Sequence, residues 1–174
     1  MAYYFVQEKE LRWMAQPPSS VQPLFSQTRS LLPPLISKLH LSLQAWRDGG
    51  VSPGPVVADR IWVDGEGALV FHFINGQRPK PLMQVGLAPD LAAWLVLLDK
   101  WMETFVVVAR ARSIWSVTEL AAALTFLTPA FLPYALVQQP PDNWMRVATA
   151  LALALADGPL HGVSHDRHWQ SGEG

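Results

Sequence analysis

"VADRIWVDGEGALVFHF", residues 57–73, decides how the chain is read. It gathers Asp59, Asp64, Glu66 and His72 around a Gly-x-Gly, so it is either an acidic site or a chain reversal. The flanks favour the reversal. "RIWVD" and "ALVFHF" are rich in β-branched and aromatic residues, which suit a pleated, half-buried surface. Asp64-Gly65 is a dipeptide that tight turns use, because glycine admits positive φ freely. An EF-hand calcium loop would need alternating oxygen ligands and a closing Glu over about twelve residues, and that pattern is absent. The stretch predicts a small antiparallel hairpin at about 60–74, with His72 on the face opposite Phe71 and Phe73.

Helices flank this hairpin. Upstream, Leu32, Leu35, Ile36, Leu39, Leu43 and Trp46 recur at helical spacing. Ser30 is placed as N-cap, Pro33 and Pro34 are tolerable only in a first turn, and "DGG" at 48–50 stops the helix. "VSPGPVV" and "NGQRPKPLMQVGL" read as loops. Downstream, "APDLAAWLVLLDKWMETFVVVA" is apolar nearly all round, which predicts a buried central helix at about 90–109 with Asp90 as N-cap. Ser116 with Glu119 three residues later is a capping-box signature for a helix through "LAAALTF". A last helix starts near Asp142 and ends at "DGP". The expected fold is mainly α, a single helical domain around that central helix with one hairpin. Its expected organisation is an N-terminal extension at 1–30, the helical domain at 31–160 and a flexible, histidine-containing tail at 161–174.

The totals narrow the function classes. Half of the 174 residues are apolar and 16% are charged, enough for a core and too few charges for a disordered chain. A net charge of −1 with no basic block argues against nucleic-acid binding. The absence of cysteine removes disulfide and thiol chemistry and suits a reducing compartment. The N-terminus shows no signal-peptide order, so a cytoplasmic location is expected. The uncharged segment at 120–137 reaches the length of a membrane span, but Pro129 and Pro133 interrupt it, so two buried segments joined by a proline turn are expected instead.

Chemistry-bearing residues are sparse. No nucleophile-elbow, zincin, phosphate-loop or dinucleotide motif occurs. His161, His165 and His168 would share a face if helical, yet Gly158, Pro159 and Gly162 argue against helix, and a solvated tail is expected. Of the eight tryptophans, Trp94 and Trp101 are expected in the core, whereas Trp13 and Trp169 near the termini are candidate interface anchors.

The order of "ADRIWVDGEGALVFHF", a short loop and "GLAPDLAAWLVLLDKWM", followed by "PPDNWMRVATALALALADGP", resembles the C-terminal lobe of Ser/Thr protein kinases over residues 31–160. The resemblance implies a catalytic loop, a metal-binding hairpin, an activation segment and a buried central helix. It also places Arg60 at the metal-binding Asn position, His72 at the metal-binding Asp, Ile74 at the following Gly and Pro55 near the catalytic Asp. No H-R-D stands in the sequence, "APD" runs straight into the central helix, and residues before 31 are too few for a nucleotide lobe. What the resemblance implies is the scaffold without the reaction. The leading expectation is therefore a non-catalytic interaction or scaffold module, pseudokinase-like, with a protein partner or a homo-oligomer. No catalytic, cofactor-binding or metal-ligating residue is assigned. The alternatives are an enzyme assembled only in three dimensions, which would place Asp59, His72 or His40 in a deep pocket, and a membrane-associated factor using 120–137.

Overall fold

The computed structural model describes residues 2–7, 10–16, 20–24, 32–54, 56–65, 68–73, 79–138 and 142–157. The described residues are about half helical and include a small antiparallel sheet, a mixed α/β fold in place of the mainly α one expected. The strands are β1 (Ala2–Gln7), β2 (Glu10–Met14), β3 (Gln22–Pro23), β4 (Val51–Ser52), β5 (Ile61–Val63), β6 (Leu69–Phe73) and β7 (Lys80–Pro81). The helices are α1 (Leu32–Asp48), α2 (Ala88–Leu98), α3 (Thr104–Ile114), α4 (Val117–Leu124), α5 (Tyr134–Val137) and α6 (Asn143–Ala156). Ser30, Pro55, Glu66, Ile74, His161, His165, His168 and Trp169 lie outside the described residues.

The expected hairpin exists, and it is the middle of a larger sheet. β5 and β6 pair with Ile61 opposite Phe71, and β1 pairs with β6 on its other side, giving the order β2-β1-β6-β5-β3. Three of these strands come from the stretch expected to be an N-terminal extension. "AYYFVQ" and "ELRWM" carry the aromatic and β-branched residues a strand uses. Between them only two residues intervene, so they pair as consecutive neighbours with Tyr4 opposite Trp13.

One face of the sheet covers the helices. Ile61, Val63, Leu69, Phe71 and Phe73 are buried there against Trp46 of α1 and Trp94 of α2, with Phe71 edge-on to both indoles at 5.3 and 6.2 Å. His72 faces the other way, as the alternation requires. In α1 the expected stripe of Leu35, Ile36, Leu39, Leu43 and Trp46 is buried. The helix ends where "DGG" predicts: the amides of Gly49 and Gly50 bond back to Ala45 and Arg47, and Gly50 takes φ 67°, the left-handed stop that glycine permits.

The central helix differs from expectation. Residues 90–99 are buried on every side, but the helix ends at Leu98, and α3 begins at Thr104 after a turn. The turn, "DKWME", has neither glycine nor proline, so no breaker marks it, but three of its five residues are charged and interrupt the apolar run. Asp99 sits at the C-terminal end of α2, where the helix dipole disfavours an anion, so a buried carboxylate there needs a cation. Its side chain is fully buried and accepts from Arg146 Nη2 of α6 at 3.1 Å. Asn143 completes this tie, donating to the Val96 carbonyl at 2.9 Å while its own carbonyl accepts from Arg146 at 2.8 Å. The predicted capping box is present: Ser116 Oγ accepts from the Glu119 amide at 3.2 Å, and Glu119 Oε2 accepts from the Ser116 amide at 2.9 Å.

The 120–137 stretch divides into the end of α4, a run of turns and α5, as Pro129 and Pro133 predict, but its two parts are not wholly buried as expected: Leu120, Ala123, Leu127, Leu132 and Leu136 face the core while Phe131 and Tyr134 are exposed. Among the described residues no helix is long and apolar enough to cross a membrane.

Candidate functional site

The hairpin residues resolve first. Asp59 is exposed on a 3-10 turn, where its carbonyl accepts from the Trp62 indole at 3.4 Å. Asp64 closes the β5–β6 reversal, its carboxylate accepting from the Ala68 amide at 2.7 Å while its own amide bonds the Ala68 carbonyl at 3.0 Å. Gly65 is not among the glycines with positive φ, so the Asp64 side chain, not the glycine, is the turn device seen here.

Arg60 and His72 are neighbours. Arg60 Nε donates to the His72 carbonyl at 3.3 Å, and its guanidinium lies 5.1 Å from the centre of the Phe73 ring. His72 stacks on Tyr3 at 4.8 Å, with Trp62 against it at 5.7 Å. Burial, then the Arg60 charge, holds its pKa below the ordinary histidine value. A guanidinium beside a neutral imidazole repels a cation, and no group of three potential metal ligands occurs among the described residues.

Of the residues expected in a pocket, His40 is placed in a cavity among the described residues. It stands on α1 in a pocket of about 190 Å³ with Leu43, Arg47, Leu91, Trp115 and Glu119. The His40 ring meets Trp115 edge-on at 5.4 Å, and burial lowers its pKa, with Glu119 opposing and Arg47 adding to the effect. Burial pushes Glu119 up, but its hydrogen bonds from Ser116, helped by Arg47 at 3.5 Å, leave it below the usual carboxylate value. Its lining holds the titratable His40 and Glu119 beside Arg47, and no serine or threonine.

The most unusual chemistry lies where a simple cap was expected. α2 starts two residues before Asp90, at Ala88, because Gly86 (φ 62°) turns the chain and Pro89 needs no hydrogen-bond donor in a first turn. Asp90 therefore sits inside the helix, and no side-chain cap bond forms. Its carboxylate turns to β4, where Ser52 Oγ donates to its two oxygens at 3.2 and 3.0 Å and in turn accepts from the Gly54 amide at 3.1 Å. Asp90 is 8% exposed. Burial raises its pKa from 3.8 to about 6, against the smaller opposite pull of Ser52. It lines a cleft of about 380 Å³ with Ser52, Lys80, Met83, Ala93, Phe131 and Leu132 among its walls. An acidic residue ahead of an all-apolar run was the only sequence signal for this site, and it reads equally as a cap.

Trp13 is the other notable group. It is 67% exposed on β2, one of the two edge strands of the sheet, whereas Trp94 is fully buried and Trp101 partly so.

No protein-family model matches the chain, and comparison with curated proteins and with solved structures gives no match.

Proposed function

We propose that the chain is a non-catalytic protein-interaction module, a scaffold or regulatory domain similar to a degenerate kinase C-terminal lobe. The observation that carries this reading is Trp13, a large aromatic exposed on an edge strand of the sheet. An edge strand offers unpaired N–H and C=O groups to an extended segment of a partner. An exposed Trp beside that edge is the kind of side chain that dominates interface energetics. The kinase-lobe part of the reading is supported by the order of α1, the β5–β6 hairpin and the buried α2. Its loss of catalysis is supported by Arg60 and His72 standing where that family holds magnesium, which makes the hairpin repel a metal ion rather than bind it.

Trp13→Ala tests the interaction reading. The variant should melt as the wild type does, because the side chain is mostly exposed. It should also lose the protein partner, or the self-association seen by sedimentation, that the wild type retains. Equal retention by both proteins overturns the reading. Magnesium-ATP at millimolar concentration should leave the melting temperature unchanged; a clear rise would show a nucleotide site and defeat the non-catalytic part.

A further inference from the structure

The fold contains two buried carboxylates in α2 and its following turn, and it treats them differently. Asp99 is matched by the Arg146 guanidinium at 3.1 Å. Asp90 receives one neutral hydroxyl, shared between both oxygens, and forms no ion pair among the described residues. An ionised carboxylate has about four acceptor sites, and a buried one is stable chiefly when a cation and further donors occupy them. Asp90 also lines a cleft, from which a further donor could reach it. We infer that this cleft binds an alkylammonium group, with Asp90 as the counter-ion and Val56, Pro81, Met83, Phe131 and Leu132 holding the apolar stem.

The fit is specific in three ways. A carboxylate at the floor of an apolar cleft selects a cation carried on a hydrocarbon chain, since a hydrated metal ion gains nothing from such walls. Ser52 is held by the Gly54 amide, so its hydroxyl proton points to Asp90 and the carboxylate is oriented before a ligand arrives. Met83 and Phe131 (66% and 60% exposed) stand at the mouth as unspent apolar contact surface. The charged side chain that also lines the cleft is Lys80 of β7, which is exposed and makes no ion pair among the described residues. It is the competing occupant. The same chemistry could come from a free amine or from a lysine of a partner protein, and the site does not depend on Trp13.

The test is a titration followed by amide NMR shifts of Ser52, Gly54 and Ala93. The probes are n-butylammonium, Nα-acetyl-lysine N-methylamide and, as a neutral control, n-butanol. Both ammonium probes should give saturable shifts at pH 7.5, and butanol should not. Affinity should fall about tenfold per pH unit below about 6, where Asp90 takes up its proton. Asp90→Asn should remove the binding while staying folded. A preference for the lysine derivative assigns the ligand to a polypeptide, and a preference for butylammonium assigns it to a free amine. Binding that survives Asp90→Asn, or equal binding of butanol, overturns the proposal. So does a wild type that binds neither amine while Lys80→Met destabilises it at pH 7.5, which would make Lys80 the cation.

Discussion

Asp90→Asn should make this protein more stable at neutral pH, although it removes a hydrogen-bonded, buried side chain. The folded carboxyl titrates at about 6 against 3.8 for the free group. The folded state therefore holds the proton more tightly than the unfolded one. Stability from this group is fully present below the unfolded pKa, declines as pH rises from about 4 to about 6, and is flat above that. At about 1.4 kcal/mol per pKa unit, two units amount to about 3 kcal/mol lost at neutral pH. Asparagine keeps the shape and an oxygen for Ser52, but brings two amide protons that need acceptors, a cost of about 1 kcal/mol. The net gain at pH 7.5 is about 2 kcal/mol. Urea denaturation at several pH values between 4.5 and 8, read by tryptophan fluorescence, measures the wild-type-to-variant difference free of the other titrating groups. Of the total, about 2 kcal/mol should develop between pH 4.5 and 7.5. A difference that stays constant across that range refutes the reasoning, because Asp90 would then ionise as easily folded as unfolded.

Three further outcomes follow from the same geometry. Ser116→Ala should cost about 1 kcal/mol by denaturant unfolding, through loss of the α4 cap, with no change in the cleft. Arg146→Met should cost roughly 2–3 kcal/mol, since it strands the buried Asp99; the half-exposed guanidinium places this below the figure for a fully buried pair. In an NMR titration His40 should protonate below the ordinary histidine pH, and Glu119→Gln should lower that pH further by removing the one charge that opposes burial.

Features set by short-range rules were legible in the sequence. The α1 stripe, the "DGG" stop, the Ser116–Glu119 box and the proline break after α4 each depend on residues within about four positions of one another, where helix geometry leaves few alternatives. The β5–β6 hairpin was legible for the same reason. Its neighbours were not, because β1 reaches β6 across more than sixty residues, and nothing local marks which distant strand completes a sheet. The aromatic and β-branched run in "AYYFVQ" marks a strand locally, but nothing in it marks the partner strand.

The candidate sites divide along the same line. Asp59, Asp64 and His72 are close in sequence, but the fold uses the Asp64 carboxylate to close the reversal and stacks His72 on Tyr3, and it leaves Asp59 exposed. Asp90 and Ser52 lie 38 positions apart and share no motif, yet Asp90 is the buried carboxylate that has no ion pair among the described residues. Sequence spacing finds groups that a strand or helix must bring together. It does not register a missing counter-charge, because that is a property of everything packed around the group. The Asp99–Arg146 pair shows that the fold supplies a cation where it buries a carboxylate against other helices. Among the described residues none is supplied at Asp90, where the carboxylate borders an open cleft, so a ligand cation fits there better than in the acidic hairpin.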